Sequence, residues 1–395
     1  MKMKKRSNPP LRLNRPLTSD TIHFMFKYIP LILCFTFTVP FATAQDAAKI
    51  RQSMDKGVAF LRSTQSNTGG WSVSPRSGIG PTAVILAGLL DAGVGIDDPM
   101  IASGLKLLEA SVREDGGVYT QDGFIQNYET CVVMMCFAKA NEAAKKKDGS
   151  EPYKALLAKA EKYIRGQQYA EGRNTRPEDP HYGGIGYGGT ARPDLSHTQF
   201  FLDALKATGA KEDDPAIQRA LVFVSRCQNL ESEHNTMPYI ARNAENLDGG
   251  FIYVNQPPED DPTGLSLKSY GGMTYAGLKS MIYAGLTKED KRVKAALEWV
   301  AQNYTVKENP GRGAVGLYYY YQTMAKALDV QGLPYLEDID GKRHNWRSDL
   351  SEHLISVQRE NGSWVNADSR QYMEDDANLV TGFVLLALAQ CLPQK

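Results

Sequence analysis

Two kinds of helical segment alternate along residues 45–395. One kind is amphipathic, as in residues 158–164, where Lys159 and Glu161 interrupt the apolar positions. The other is apolar on nearly every side, as in residues 83–90, which read Ala-Val-Ile-Leu-Ala-Gly-Leu-Leu. A helix that is apolar all round must be buried on every side, whereas an amphipathic helix covers a core with one face. The pattern therefore predicts apolar inner helices surrounded by amphipathic outer ones, with few strands.

A short phrase marks the junction between the two kinds of helix and recurs six times. It consists of a Gln, a Gly-rich turn with an aromatic residue, and a Thr that opens the apolar helix, although the second copy lacks the Gln. The six threonines are Thr82, Thr130, Thr198, Thr274, Thr323 and Thr381. Their spacings of 48, 68, 76, 49 and 58 residues each leave room for two helices and a loop. Internal repeats of this length are typical of repeat architectures.

Six two-helix repeats predict twelve helices in an all-α fold. We expect them to close into an (α/α)6 toroid around a central cavity, because a closed ring has no end repeats that need capping. Asp98-Pro99 and Asp214-Pro215 each place an N-cap acid before proline at the first position of an outer helix. Three insertions rich in Pro, Gly, Asn and charge are expected to form loops over one face of the ring. They lie at about 170–192, 231–262 and 332–345.

The N-terminus has the layout of a secretory signal peptide. Seven basic residues precede an apolar stretch, residues 28–41, which ends in Ala42-Thr43-Ala44. This stretch is shorter than the roughly 20 residues of a membrane span. We therefore predict a signal peptide at 1–44, with Met1 or Met25 as its start, and a mature toroid at 45–395 without a transmembrane segment. The protein is expected to be exported, to the periplasm or the medium.

Charge and cysteine content narrow the function classes further. Lys plus Arg and Asp plus Glu number 45 each, and no long run of one sign occurs, so nucleic acid is not an expected partner. Four cysteines of the predicted mature chain lie in apolar helical runs without the spacing of a disulfide framework. They are Cys131, Cys136, Cys227 and Cys391. We predict that all four are buried free thiols.

The Gln, Gly-Gly, aromatic and Thr-Ala phrase resembles the repeat of squalene and oxidosqualene cyclases and of protein prenyltransferase β-subunits. The resemblance covers essentially the whole predicted mature chain and implies the toroid fold, with a site in the central cavity at the starts of the inner helices. It also implies a hydrophobic substrate, such as an isoprenoid or another lipid. One fold hosts many activities, so the resemblance implies less about chemistry.

A triterpene cyclase carries a DxDDTA motif at the start of an inner helix, and here the matching stretch is residues 194–199, Asp-Leu-Ser-His-Thr-Gln. Asp194 and Thr198 match the motif, but Ser196 and His197 replace the two middle acids. Protonating a carbon–carbon double bond needs a strong carboxylic acid in its protonated form. This departure argues against squalene-type protonation. We interpret Asp194 and His197 instead as a hydrogen-bonded acid/base pair.

A protein prenyltransferase is similar in binding zinc through an acid, a Cys and a His at the starts of two inner helices. Glu129, Cys131 and His197 occupy that register, and a carboxylate, a thiolate and an imidazole suit zinc. The family's acid is Asp rather than Glu, and no partner subunit is evident. We prefer the interpretation that Cys131 packs in the core and Glu129 caps a helix, so no cofactor is expected.

The remaining site candidates are residues that could line the cavity. Six helix N-termini directed into one cavity favour an anionic or diphosphate group there, unless local acids already neutralise them. Tyrosine rings stabilise cations, and an arginine between glycines can bind a carboxylate or phosphate. The substrate-binding candidates are Tyr128, Glu129, Tyr270, Arg312, Tyr318 and Tyr321.

Three functions stay open from the sequence. The first is an enzyme that acts on a hydrophobic substrate through Asp194 and His197. The second is a binding or scaffold protein that uses the toroid without catalysis. The third is an extracytoplasmic carbohydrate-active enzyme with paired carboxylates, which would be drawn from Glu129, Asp194, Asp248, Asp375 and Asp376. The sequence does not decide whether the chain is an enzyme.

Overall fold

A computed structural model of the chain describes residues 44–74 and 77–393. The described residues form thirteen α-helices and one two-stranded antiparallel hairpin. The helices are α1 (Ala44–Thr64), α2 (Gly80–Asp91), α3 (Pro99–Glu109), α4 (Gln126–Asp148), α5 (Lys154–Gln167), α6 (Leu195–Ala207), α7 (Pro215–Ser225), α8 (Pro238–Arg242), α9 (Gly271–Tyr283), α10 (Lys291–Asn303), α11 (Leu317–Val330), α12 (Trp346–Ser356) and α13 (Ala377–Cys391). The predicted signal peptide falls almost entirely on residues 1–43, outside the described residues.

Six helices form an inner ring: α2, α4, α6, α9, α11 and α13. Each contacts the next in this series, and α13 contacts α2, so the ring is closed. The inner helix α2 is buried from Gly80 to Leu89, whereas the outer helix α5 buries Leu157, Ala160 and Ile164 on one face. The predicted all-α toroid is confirmed. Within the described part of the chain, no helix combines the length and apolar character needed to cross a membrane.

The recurring threonines join each Gly-rich turn to the inner helix that follows it. Thr82 is fully buried, and its hydroxyl accepts a hydrogen bond from the backbone N–H of Trp71 at 3.0 Å. The same bond, at 3.1–3.2 Å, joins Thr130 to Val118, Thr198 to Ile185, Thr274 to Phe251 and Thr381 to Trp364. A buried backbone N–H without a partner is costly, so the hydroxyl stabilises the turn. Thr323 instead bonds back to the Tyr319 carbonyl within α11.

The recurring glutamines fasten one repeat to the next. Gln168 Nε2 donates to the carbonyl of Gly183 in its own turn and to that of Ala216 at the start of α7, both at 2.9 Å. Gln65, Gln228 and Gln358 make the same two kinds of bond. The second partner of Gln358 is Ser53 of α1, so the last repeat is joined to the first in the same way.

The loops of the toroid lie on its two opposite faces. Turns that run from an outer to an inner helix lie at the inner-helix starts, and the other connections lie at the inner-helix ends. The insertions at 170–192 and 231–262 lie on the first face, and the second of them contains α8. The insertion at 332–345 follows the inner helix α11, so it lies on the opposite face, where β1 (Leu336–Glu337) pairs with β2 (Arg343–His344). The expectation that all three insertions share one face is therefore wrong.

Two local predictions are confirmed. Asp98 and Asp214 cap α3 and α7, because their carboxylates accept the N–H groups of Met100 and Ala216. The four predicted thiols are free and buried. Burial raises the pKa of the Cys136 and Cys391 thiols to about 12, so these groups stay protonated and unreactive at neutral pH.

Candidate functional site

The N-terminus of α6 holds Asp194 and His197 in contact. Asp194 is the N-cap residue, and its carboxylate accepts the backbone N–H of His197 at 2.9 Å. Both carboxylate oxygens also lie 2.8 Å from Nδ1 of the His197 ring. The two residues are only 3% and 5% exposed. The same carboxylate therefore caps the helix and orients the imidazole.

The hydrogen bond to Asp194 sets the chemical role of each imidazole nitrogen. A carboxylate beside Nδ1 favours the tautomer with the proton on Nδ1, and this leaves a lone pair on Nε2. Nε2 of His197 has no hydrogen-bond partner among the described residues. A buried carboxylate and imidazole in this arrangement can take up or release a proton at Nε2, as in a general base.

Tyrosines surround the His197 ring. The Tyr187 ring centroid lies 3.8 Å from that of His197, and the Tyr128 ring meets it edge-on at 6.0 Å. Tyr253 lies close to Tyr187, and its backbone carbonyl accepts the N–H of Leu195 at 2.9 Å. Burial, and then the negative charge of Asp194, raise the pKa of Tyr253 far above its ordinary value. These phenols are therefore hydrogen-bond donors and not bases at neutral pH.

Four aromatic side chains form a row across the ring, which we call the aromatic layer: Tyr128, Phe200, Tyr319 and Phe383. They come from α4, α6, α11 and α13, and successive ring centroids lie 5.2, 6.0 and 6.4 Å apart. The Tyr319 hydroxyl lies 3.3 Å from the Ser196 hydroxyl and 3.2 Å from Gln199 Nε2. The aromatic layer thus begins beside the Asp194/His197 pair, at Tyr128.

Three of the six substrate-binding candidates belong to this region. Tyr128 is part of the aromatic layer. Tyr270 is the N-cap residue of α9 and is half-buried. The Arg312 guanidinium stacks on the Tyr270 ring at 4.3 Å, and its Nη2 donates to the Leu265 carbonyl. Arg312 therefore reaches the candidate site only through its contact with the Tyr270 ring.

Tyr318 and Tyr321 bond to loop and outer-helix residues and not to the Asp194/His197 pair, contrary to their sequence assignment. Tyr318 donates to the Val365 carbonyl, and Tyr321 donates to the Val306 carbonyl and contacts His353 of the outer helix α12. Successive residues of a helix differ by about 100° in direction, so one tyrosine of the run faces inward while its neighbours face outward. The inward tyrosine is Tyr319.

Glu129 is committed to holding the ring together. Its carboxylate accepts the backbone N–H of Ile79 at 2.7 Å, the N–H of Thr120 at 3.1 Å and the Thr120 hydroxyl at 2.7 Å. It is completely buried, and it thereby joins the start of α2 to the second repeat. With these donors already bound, Glu129 has neither a substrate-binding nor a metal-binding arrangement.

The zinc candidates do not form a metal site. Cys131 is buried in the core, and burial raises the pKa of its thiol. The Glu129 carboxylate is already bound by donors of Ile79 and Thr120. Across residues 44–74 and 77–393, no cluster of three or more His, Cys, Asp or Glu side chains is arranged to hold a metal ion. The residues present therefore do not fit zinc.

The N-termini of the inner helices are largely occupied by protein groups. Glu374 accepts the N–H groups of Leu317, Tyr318 and Tyr319 at 2.8–2.9 Å and so caps α11. The corresponding acceptors are Glu129 for α2, Asp194 for α6, Asn309 for α9 and Asp376 for α13. An anion or a diphosphate would compete with these groups at the starts of α2, α6, α9, α11 and α13.

Asp248, one of the acids considered for sugar cleavage, also accepts hydrogen bonds from nearby protein groups. Asp248 accepts the N–H of Gly250, the Ser269 hydroxyl and the Trp299 indole N–H. Asp375 is exposed on a loop. Glycoside hydrolysis needs two carboxylates that flank a cavity, and Glu129, Asp194 and Asp248 each already accept backbone N–H groups.

The sequence did not reveal several residues of the site. Tyr187 and Tyr253 lie in the long insertions, where no periodicity indicates which side chain lies near His197. Phe200, Tyr319 and Phe383 lie on inner helices. Phe200 could have been found from its spacing, because it lies three residues after His197 on the same face of α6.

Comparison with known proteins gives the fold alone. No family model matches the chain, and no curated protein matches it in sequence. Solved structures do match: a variant of the type II terpene cyclase MstE from Scytonema, without ligand, has a TM-score of 0.53 and 12% identity over 88% of this chain and 98% of its own. Unliganded MstE itself gives 0.51 and 12% over 87% and 98%. Another variant, in complex with geranylgeranyl dihydroxybenzoate, gives 0.50 and 14% over 88% and 98%. The chain therefore has the toroid fold of a terpene cyclase.

Proposed function

We propose that this chain is an enzyme that binds an apolar, isoprenoid-like substrate at the inner-helix starts and uses His197 to transfer a proton. The contact between Asp194 and His197 is the observation on which the proposal rests. A buried imidazole held through Nδ1 by both oxygens of a carboxylate can exchange a proton at Nε2. Asp194 is then the residue that orients the ring and stabilises its protonated form.

The surroundings of His197 favour an apolar substrate with a hydroxyl or carbonyl near its end. Burial raises the pKa of Tyr128, Tyr270 and Tyr319 above the ordinary value, so they offer neutral hydroxyls and aromatic faces. Such faces bind prenyl chains and stabilise positive charge. The toroid protein MstE binds geranylgeranyl dihydroxybenzoate, which makes a prenylated arene a reasonable first probe. Alkene protonation is not part of the proposal, since an imidazolium is too weak an acid for it.

The test uses two substitutions that preserve the helix cap. Asp194→Asn keeps an oxygen to accept the His197 N–H, and His197→Gln keeps a polar side chain of similar length. The purified wild type and both variants are incubated with geranylgeraniol or geranylgeranyl dihydroxybenzoate, and products are separated by liquid chromatography and mass spectrometry. We expect each substitution to lower turnover roughly 10²–10⁴-fold with binding retained. Asp214→Asn, which changes the cap of an outer helix, is expected to leave turnover unchanged.

The same experiment separates the alternative functions. Ligand binding without any product, unaffected by His197→Gln, would indicate a binding or scaffold protein. If neither probe binds the wild type, the hydrophobic-substrate proposal is refuted.

We also propose that the protein acts outside the cytoplasm, in the periplasm or the medium. The support is the basic and apolar leader that ends at Ala44. Edman sequencing or intact-mass measurement of the protein from the exported fraction should give a chain that begins near Gln45. Recovery of a full-length chain from the cytoplasmic fraction alone would contradict export.

A further inference from the structure

A chain of hydrogen bonds runs from the core to the edge of the candidate site. Lys279 Nζ donates to the Asp203 carboxylate and to Gln199 Oε1, both at 2.6 Å. Gln199 Nε2 in turn donates to the Tyr319 hydroxyl at 3.2 Å, and this hydroxyl lies 3.3 Å from that of Ser196. The first three residues are buried, whereas Tyr319 and Ser196 are half-buried. The chain therefore begins at a buried ion pair and ends at the hydroxyls of two partly exposed residues, which we call the hydroxyl pair.

The ammonium group of Lys279 fixes the direction of the bonds that follow it. Lysine has three N–H donors and no acceptor, so Gln199 must present its oxygen to Lys279 and its NH2 group to Tyr319. The two ends of a glutamine amide are otherwise assigned only from their hydrogen bonds, and here the neighbouring charge allows one assignment. The Tyr319 hydroxyl oxygen is therefore an acceptor towards Gln199.

The hydroxyl pair has one proton more than its own bonds use. Tyr319 and Ser196 carry one O–H proton each, and a single proton suffices for the bond between them. Gln199 is itself a donor and takes up no proton from the pair. Neither hydroxyl has a further acceptor within residues 44–74 and 77–393. One O–H donor of the pair is therefore free for a ligand, whichever of the two residues holds it.

The ion pair at the start of this chain is not explained by stability. Asp203 and Lys279 lie on the inner helices α6 and α9, and Leu202 and Ala204 beside Asp203 are apolar and completely buried. Replacing a buried ion pair by well-packed apolar residues is often neutral or stabilising. A role in orienting the Gln199 amide gives the pair a function.

We propose that the hydroxyl pair donates a hydrogen bond to an oxygen of the bound ligand, and that Lys279 is the positioning residue that sets this direction. The inference rests on the proposed function, because it places the ligand at the inner-helix starts beside the aromatic layer. An ether or carbonyl oxygen accepts the free proton, whereas a hydrocarbon of the same shape leaves it unpaired. His197 Nε2 supplies the opposite polarity, so the candidate site offers a ligand one donor and one acceptor.

The direction of the chain is tested without a ligand. Gln199→Glu/Asp203→Asn moves the carboxylate from one neighbour of Lys279 to the other and leaves the net charge unchanged. A carboxylate has no proton to donate, so Tyr319 must donate to the new acceptor. The C–O stretch of Tyr319, identified in the infrared spectrum by difference from Tyr319→Phe, should move to higher frequency. An unmoved band in the folded double variant would overturn the assigned direction.

Ligand selection is tested by equilibrium dialysis of the full predicted mature chain. The two probes are farnesyl methyl ether and the hydrocarbon in which CH2 replaces the ether oxygen, and the ratio of their affinities isolates the contribution of that oxygen. In Gln199→Glu/Asp203→Asn the oxygen would meet lone pairs in place of a proton. The ratio of ether to hydrocarbon affinity should therefore fall roughly tenfold or more relative to the wild type.

A second double variant tests Lys279 itself. Lys279→Met/Asp203→Leu removes the ion pair without stranding a charge, so the protein should fold, and it frees the Gln199 amide to turn over. The affinity ratio should fall roughly threefold or more, whereas Tyr318→Phe, which alters the neighbouring tyrosine bonded to the Val365 carbonyl, should leave it unchanged.

The possible outcomes separate this inference from the function on which it rests. An unchanged affinity ratio in the first double variant would overturn the donor assignment, and an unchanged ratio in the second would overturn the role of Lys279. In both cases the proposed function would stand. A wild type that binds neither probe would instead refute the proposed function together with the ligand contact inferred here, and the infrared band would still decide the direction of the chain.

Discussion

Gly183 is a position where a single methyl group should disturb the contact between two repeats. Its φ is +84°, and a Cβ built there would lie 1.8 Å from the Arg219 carbonyl oxygen and 2.5 Å from its carbon. Both Arg219 atoms belong to the backbone of α7, so they cannot rotate away. The turn and α7 would have to separate, and Gln168, which bonds to Gly183 and to Ala216, would be strained as well.

The magnitude of Gly183→Ala has two parts. A left-handed conformation costs a residue with a Cβ about 1–2 kcal/mol. Forcing extra volume into a packed contact costs about 1–3 kcal/mol, and a contact of 1.8 Å with backbone atoms belongs at the upper end of that range. The free energy of unfolding should therefore fall by about 4 kcal/mol.

Gly209 supplies the matched control. Its φ is +93°, and a Cβ there would meet no atom within 4 Å, so Gly209→Ala carries only the backbone cost of about 1–2 kcal/mol. Urea unfolding followed by circular dichroism measures both variants against the wild type. With an m-value of about 3 kcal/mol/M, the extra loss in Gly183→Ala lowers the urea midpoint by about 1 M relative to Gly209→Ala. Equal midpoints for the two variants would refute the view that the tight turn determines the spacing of the repeats.

Two further predictions concern groups around α11. Glu374→Gln should lower the free energy of unfolding by about 2 kcal/mol, because an amide replaces the carboxylate that accepts three N–H groups of α11. Urea unfolding measures this variant against a control, Glu360→Gln, which changes an exposed glutamate in the same way. Equal free energies of unfolding for the two variants would contradict the prediction. Burial, and then Lys307, lower the pKa of His353 below 6.5. Below pH 6.5 the unfolded chain takes up a proton that folded His353 does not, so stability is complete above that pH and is lost as the pH falls. His353→Gln should therefore reduce the fall in melting temperature between pH 7.5 and 5.5, and an unchanged fall would exclude this role.

The sequence predicted the ring because its repeated residues carry local and inter-repeat bonds. Thr82 and four equivalent threonines hold the turn before an inner helix, and Gln168 and three equivalent glutamines hold the next outer helix. These bonds depend on residue types that recur in the same order, so the repeats are visible in the sequence although the second copy lacks the Gln. The Asp194/His197 contact was also accessible, because an N-cap acid and a residue three positions later meet at a helix start.

Contacts between distant residues were beyond the reach of the sequence. Glu129 binds the N–H of Ile79, 50 residues away, and no pattern in the chain indicates that partner. The choice among four consecutive tyrosines depends on the rotation of α11 about its axis, which is set by packing and by the Glu374 cap. The face occupied by residues 332–345 could have been found, since counting helices places that insertion after an inner one.

The hydrogen bond between Gln358 and Ser53 indicates which peptide connections the ring needs in order to fold. Hydrogen bonds of the kind that join consecutive repeats elsewhere also join the last repeat to the first, although no peptide bond connects them. The sixth junction is therefore stabilised without chain continuity, and the first junction has a bond of the same kind, from Gln65 to the Met100 carbonyl of α3. A circularly permuted chain, with α13 linked to α1 and new ends opened between α2 and α3, should fold to the same toroid.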